Sequence, residues 1–157
     1  MPRPPQTSTT PSDFPTEGTV TLRVRFNECD PLGVVHHAAS IPWLEIGRSE
    51  LLREGGFTHK KLESEGVHFV ITRLEATYRR PMRYDDVVEV RTRVASTTRV
   101  IIRHAYLTAV ILRDGRAPDA ADPAIPPGGV CLIAQTELAV IDKTGRPIPL
   151  PSWLVTG

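Results

Sequence analysis

Residues 26–37 read Phe26-Asn27-Glu28-Cys29-Asp30-Pro31-Leu32-Gly33-Val34-Val35-His36-His37, and this stretch decides how the chain is to be read. It places one carboxylate, Asp30, at the end of an alternating strand. A turn, two histidines and the start of a helix follow at once. Gly33 supplies a backbone conformation closed to other residues. A carboxylate beside a helix N-terminus can attack a carbonyl, or activate water to attack it, while free backbone N–H groups hold the carbonyl oxygen. Chemistry is therefore expected here.

Upstream, Val20, Leu22, Val24 and Phe26 alternate with Thr19, Thr21, Arg23 and Arg25, the period of a half-buried strand. Residues 1–17 contain five prolines without apolar periodicity and predict a disordered or loosely draped tail, with a single domain over 18–157.

Downstream, from Ser40 to Glu54, the period becomes helical. Ile41, Leu44, Leu51 and Leu52 form an apolar stripe, while Glu45, Arg48, Glu50, Arg53 and Glu54 lie mostly off it. Ser40 suits the N-cap, Pro42 the first turn and Gly55-Gly56 the end. Gly47, inside the helix, costs about 1 kcal/mol against Ala, which close approach to a sheet would justify.

A short helix over His59–Glu65 precedes strands at about 67–79, 86–97, 99–112 and 130–142. The 99–112 strand is apolar on both faces, as for a central strand or one covered by a second copy. Residues 113–129, rich in Pro, Ala, Asp and Gly, predict a long flexible hairpin loop, and Asp142-Lys143-Thr144-Gly145 a turn. One strand, one long helix and four antiparallel strands specify an α+β domain whose five-stranded sheet curls around a central helix.

Composition narrows the function. The 157 residues are 40% hydrophobic and 24% charged, with net charge +1, so no overall field attracts nucleic acid or an anionic membrane. No apolar run approaches the ~20 residues of a membrane span. The N-terminus lacks the hydrophobic segment of a secretory signal. Two cysteines, Cys29 and Cys131, provide neither a disulfide framework nor a CxxC metal site, so a cytoplasmic protein is expected.

Other readings of the stretch are weaker. Glu28, Cys29, Asp30, His36 and His37 match no standard metal-ligand spacing. Cys29 next to Asp30 on a strand points to the opposite face, which argues against a Cys29–His37 nucleophile pair. Asp30 as a mere turn former is the plain structural alternative. Glu45 is expected to face solvent or support the site from behind.

The strand–Glu28-Cys29-Asp30-Pro31-Leu32-Gly33-Val34-Val35-His36-His37–helix pattern, followed by Trp43-Leu44-Glu45 and Arg48, resembles the 4-hydroxybenzoyl-CoA thioesterase branch of the hot-dog fold. Tyr78-Arg79-Arg80-Pro81-Met82-Arg83-Tyr84-Asp85-Asp86-Val87-Val88 is similar to that family's entry into its third strand. The resemblance covers about 18–150. It implies hydrolysis of an acyl-CoA, or of an acyl carrier protein thioester, without metal or organic cofactor, in a homodimer or homotetramer with sites at subunit interfaces. The family's catalytic aspartate falls on Asp30. Its helix-starting residue, whose N–H polarises the thioester carbonyl, falls on His37. A non-catalytic acyl-binding protein, or a hot-dog enoyl-CoA hydratase, is the alternative. The hydratase pattern Asp-x-Asn-Pro-x-His is not met, since Asp30 is followed by Pro31 and lies six residues from His36.

Substrate contacts are expected from Gly33, His36 and Ser40. Arg79, Arg80, Arg83 and Arg99 are candidates to meet CoA phosphates. His68 and Phe69 are candidates to line the acyl pocket across a dimer interface. Ala39 and Ser40 stand where many relatives carry Asn and Tyr, and the 113–129 loop is longer than usual. Both departures bear on which acyl group is accepted.

Overall fold

The computed structural model describes residues 14–118 and 127–155. Its elements in chain order are β1 (Glu17–Arg23), α1 (Ile41–Glu54), α2 (His59–Ser64), β2 (His68–Tyr78), β3 (Val87–Thr97), β4 (Ile101–Leu112) and β5 (Val130–Ile141). The five strands form one antiparallel sheet in the order β1-β3-β4-β5-β2. This is the expected five-stranded α+β architecture. The 1–13 part of the expected tail and the 119–126 part of the expected loop lie outside the described residues.

Helix α1 packs on β1 and β3. Trp43, Leu44, Leu51 and Leu52 are buried, but Ile41, placed on the apolar stripe by its period, is 36% exposed at the helix's first turn. Burying leucines of this kind contributes about 1.5–3 kcal/mol each. Gly47 is where the helix comes closest to the sheet: a Cβ there would collide with the Thr92 Oγ1 of β3. The cost of a mid-helix glycine is thus explained by helix depth.

The core has two parts along the helix. Val24, Trp43, Leu44, Met82, Val88, Val90, Val110 and Leu132 surround its N-terminal half. Leu52, Leu62, Ile102, Leu138, Val140 and Leu154 surround its C-terminal end. Phe14 joins the second group, 5.2 Å from the Trp153 ring, and Thr16 accepts a backbone hydrogen bond from Val94. Residues 14–17, assigned to the tail by their composition, are therefore part of the packed domain.

Strand β1 ends earlier than its alternation suggests. After Arg23 the backbone leaves the sheet, Val24 donates to the Asp86 carbonyl, and residues Phe26–Glu28 form a single 3-10 turn that leaves Phe26 79% exposed. The turn is fixed by Glu28, which accepts from the Arg25 N–H at 2.7 Å and the Arg25 guanidinium at 2.9 Å. Strand β4 is central, between β3 and β5, which accounts for its two apolar faces. Exposed apolar side chains include Val70, Ile71 and Leu74 of β2, the strand at the sheet's edge.

Candidate active site

Between the 3-10 turn and α1 the chain makes a small hairpin. Asp30 N–H donates to the Val34 carbonyl at 2.8 Å, Gly33 N–H to the Asp30 carbonyl at 2.9 Å, and His36 N–H to the Glu28 carbonyl at 2.8 Å. Asp-Pro-Leu-Gly matches the preferences of a type I turn closed by a left-handed residue, and Gly33 has φ +79°. The hairpin is tied to the β2–β3 connection by Val35 N–H donating to the Met82 carbonyl at 2.8 Å.

Behind it, Glu28 is buried and also accepts from Trp43 Nε1 at 3.0 Å, joining the turn to α1. Burial pushes the Glu28 carboxyl up, but the hydrogen bonds from Arg25 and Trp43 outweigh it and hold the group below its ordinary value. A second buried carboxylate secures the other wall. Asp86 accepts from Arg113 Nε at 2.9 Å and Arg113 Nη2 at 2.8 Å, and from the Arg83 N–H at 2.8 Å. Arg113 Nη2 also donates to the Pro81 carbonyl at 3.2 Å.

These supports frame a cleft of about 380 Å³ lined by Asp30, Val34, Val35, His37 and Ser40 on one side and by Tyr78, Arg79, Arg80, Pro81 and Met82 on the other. Asp30 uses Oδ1 to accept from Leu32 N–H at 2.8 Å, while Oδ2 has no hydrogen-bond partner among the described residues. The backbone N–H of His37 is likewise without a partner among them. The His37 carbonyl, in contrast, is held twice, by the Tyr78 hydroxyl at 2.6 Å and by Ser40 Oγ at 3.2 Å. Ser40 thus occupies the cap position without capping α1, and donates to the preceding turn instead.

The cleft unites Asp30, His37, Ser40, Arg79 and Arg80 of the residues expected from sequence, with Gly33 shaping the turn beside them. The His36 imidazole accepts the Ala38 N–H through Nδ1 at 3.1 Å and lies 4.2 Å from the His37 ring, but His36 does not line the cleft. Arg83 is bridged to Val34 without lining it. His68, Phe69 and Arg99 lie elsewhere. His68 pairs with Ile141 at the start of β2, whereas Tyr78 ends that strand opposite Leu132, about 33 Å away at 3.3 Å per residue. Arg99 is at the same far end, its carbonyl accepting from Leu150. Within one chain these three residues do not reach Asp30. Glu45 is solvent-exposed.

Tyr78 carries no signal of its role in the sequence, because its partner is a backbone carbonyl 41 positions away. Cys29 does not offer a thiolate: burial pushes its thiol up, and the Asp30, Glu28 and Asp86 carboxylates push it further. Among the described residues, no three His, Cys, Asp or Glu side chains converge as metal ligands. No helix among them is long and apolar enough to cross a membrane.

Comparison with known proteins adds the lineage. Residues 24–156 match the model of the thioesterase-like superfamily. The acyl-CoA thioester hydrolase YbgC of Escherichia coli is 36% identical over 75 residues, 48% of this chain and 56% of that protein. The chain's matches to its first curated relatives span from about half to 66% of their length. Among solved structures, a probable thioesterase from Bartonella henselae superposes with TM-score 0.70 and 27% identity over 86% of this chain and 99% of that one. The DHNA-CoA thioesterase of Staphylococcus aureus shares the fold, with TM-score 0.72 and 24% identity over 85% of this chain and 80% of that one. With the matched region covering both helices and four of the five strands, the chain belongs to the thioesterase-like superfamily.

Proposed function

We propose that the Asp30 cleft hydrolyses an acyl-CoA thioester to a free acid and CoA. The observation that carries this reading is the pairing, on one cleft, of a carboxylate oxygen and a backbone N–H that both lack protein partners among the described residues. The His37 N–H, which lies in the turn before α1 rather than at the helix start that the family likeness implies, receives the thioester oxygen as it gains charge. Asp30 Oδ2 either attacks the carbonyl, expelling CoA thiolate and leaving a mixed anhydride for water to open, or takes a proton from the attacking water. The naming of YbgC as an acyl-CoA thioester hydrolase favours this reaction class over hydration of an enoyl-CoA.

Arg79 and Arg80 line both this cleft and an adjoining one of about 230 Å³ that includes Val130 and Ile133. We assign them to the CoA phosphates. The partly exposed apolar edge of β2 is assigned to a second copy of the chain, in a homodimer or a homotetramer built from it. Such a copy is also the route by which His68 and Phe69 would approach a neighbouring cleft.

The test is free-thiol release from acyl-CoA esters running from acetyl to palmitoyl, with benzoyl, hydroxybenzoyl and phenylacetyl included, comparing wild type with Asp30→Asn. Turnover of at least one ester, reduced about 10²–10⁴-fold in a variant of unchanged melting temperature, is expected. Equal turnover in the two proteins would overturn the assignment of Asp30. Binding of an ester without turnover, on CoA or on a carrier protein, would instead identify an acyl-binding protein.

A further inference from the structure

A second cavity lies at the other end of α1 and shares no lining residue with the Asp30 cleft. It measures about 30 Å³, or about 350 Å³ of empty space with its open mouth included. By the usual measure the inner part holds about two water-sized groups. Its walls are mostly aliphatic and aromatic, with Phe69 of β2 and Ile102 of β4 among them. Set into these walls are Arg48 of α1, His59 of α2 and His104 of β4.

Two polar atoms among them are left unsatisfied, although the Arg48 side chain hydrogen-bonds Tyr106 and the His59 ring is held by Ser49. Arg48 Nε and His104 Nδ1 are both buried and have no hydrogen-bond partner among the described residues. The Arg48 side chain is only 11% exposed, and its ion pair is with Glu45 at 3.4 Å, a carboxylate that is itself 68% exposed. A guanidinium removed from water is costly unless a counter-charge accompanies it, and a solvated carboxylate at that distance compensates weakly. His104 does not share the positive charge: burial, with Arg48 nearby, lowers it to about 4, so it is neutral at pH 7 and can offer an N–H. His59 is anchored by Ser49 Oγ at 3.1 Å from its Nε2.

An occupant must therefore bring negative charge, accept from Nε–H of Arg48 and from His104, and leave an apolar remainder against Phe69 and Ile102. We propose that this cavity is a binding site for the carboxylate head of a small organic acid, distinct within one chain from the cleft that holds Asp30. A carboxylate has two acceptor oxygens in the planar arrangement that a guanidinium edge meets, which spherical anions lack. The head has two sources, a free acid or the distal carboxylate of an acyl group. The proposal does not depend on thioester hydrolysis, and its test reads binding alone.

The experiment follows the His104 imidazole signals by NMR, assigned through His104→Gln, in wild type and Arg48→Met. Titrants are butyrate, butyramide, chloride and a non-hydrolysable CoA thioether ending in a carboxylate. A saturable butyrate shift of His104, without a matching shift of His36 or His37, is expected. Butyramide should give none, and Arg48→Met should weaken binding by roughly thirtyfold or more, as for one partner of a buried charge pair. Saturation by the thioether but not by butyrate would assign the head to an acyl group. No saturable shift with either, or an equal shift with chloride, would overturn the proposal. Should Arg48→Met fail to fold, butyrate stabilisation of wild type that is lost in His104→Gln gives the same decision, and its persistence there overturns it.

Discussion

The Tyr78 hydroxyl at the end of β2 donates a 2.6 Å hydrogen bond to the carbonyl of His37, the residue whose N–H remains free beside Asp30. A strand end thereby holds the His37–Ala38 peptide unit, which adjoins through the His37 Cα the unit that carries the His37 N–H, so the bond acts on that N–H through its neighbour. Removing the bond costs about 0.5–1.5 kcal/mol, a factor of up to about ten. Tyr78→Phe should lower kcat by about that factor with KM little changed, because the bound ester does not need this bond but a correctly aimed N–H does. A fall in melting temperature with kcat intact would assign Tyr78 to stability alone.

The Asp86–Arg113 pair should behave as a buried clasp. Asp86 is 1% exposed and accepts from the Arg113 Nε and Nη2 together with the Arg83 N–H. Asp86→Ala removes the carboxylate that anchors that guanidinium beside the Pro81 carbonyl, and about 3–5 kcal/mol of unfolding free energy should be lost in urea titration. A loss under about 1 kcal/mol would mean that water replaces the carboxylate freely.

The depth of α1 can be tested by a pair of substitutions. Gly47→Ala drives a methyl into Thr92 Oγ1 and should destabilise the protein by about 1–3 kcal/mol. Thr92→Ala vacates that position. The double variant should recover most of the loss, since the two side chains share one volume. Simple additivity would show that the helix yields rather than the side chain.

Stability should fall in mild acid because of His104. Its folded-state value of about 4 lies below the ordinary 6.5, so between these values the unfolded chain binds more protons than the folded one. The contribution is complete above about pH 6.5 and is lost as pH drops towards 4, to a limit of about 3 kcal/mol. His59, lowered chiefly by its burial, acts in the same direction. Urea midpoints at pH 7 and pH 4.5 should differ more in wild type than in His104→Gln. Equal differences would remove His104 from the account.

Cys29 should prove dispensable. With its thiol pushed up by burial and by three carboxylates, alkylation by iodoacetamide at pH 7 should be slower than for a free thiol. Cys29→Ala should retain thioester turnover. Loss of turnover with unchanged stability would reopen a role for sulfur.

Much of this was legible in the sequence where one residue's preference sets the local backbone. Asp30-Pro31-Leu32-Gly33 specifies its turn, β4 shows its central position through two apolar faces, and Gly47 signals a close approach. The alternation through Phe26 misled because Glu28 folds back onto Arg25 and ends the strand, a contact that periodicity does not encode. Arg48 and His104 were hidden for a different reason. They share a cavity only after the sheet has closed over α1, and His104 sits in a strand whose other inward residues are Ile102, Tyr106, Thr108 and Val110. His68 and Phe69 are expected at a pocket across a dimer interface, and within one chain antiparallel register puts them at the far end of the sheet from Tyr78.

The strand order has a consequence for how the protein is made. His68 pairs with Ile141, so β2 emerges from the ribosome and waits, without its neighbour, until β5 has been synthesised. Pairings of such long sequence separation are slow to form and expose apolar edges meanwhile. The Asp30 hairpin waits too, because Val35 needs Met82, and the wall behind Met82 needs Asp86 to meet Arg113. A nascent chain halted before β5 therefore holds every residue of the Asp30 cleft but no partner for the strand that carries Tyr78. Such a chain should be inactive and prone to aggregate, which makes the last strand the step that commits the chain to its fold.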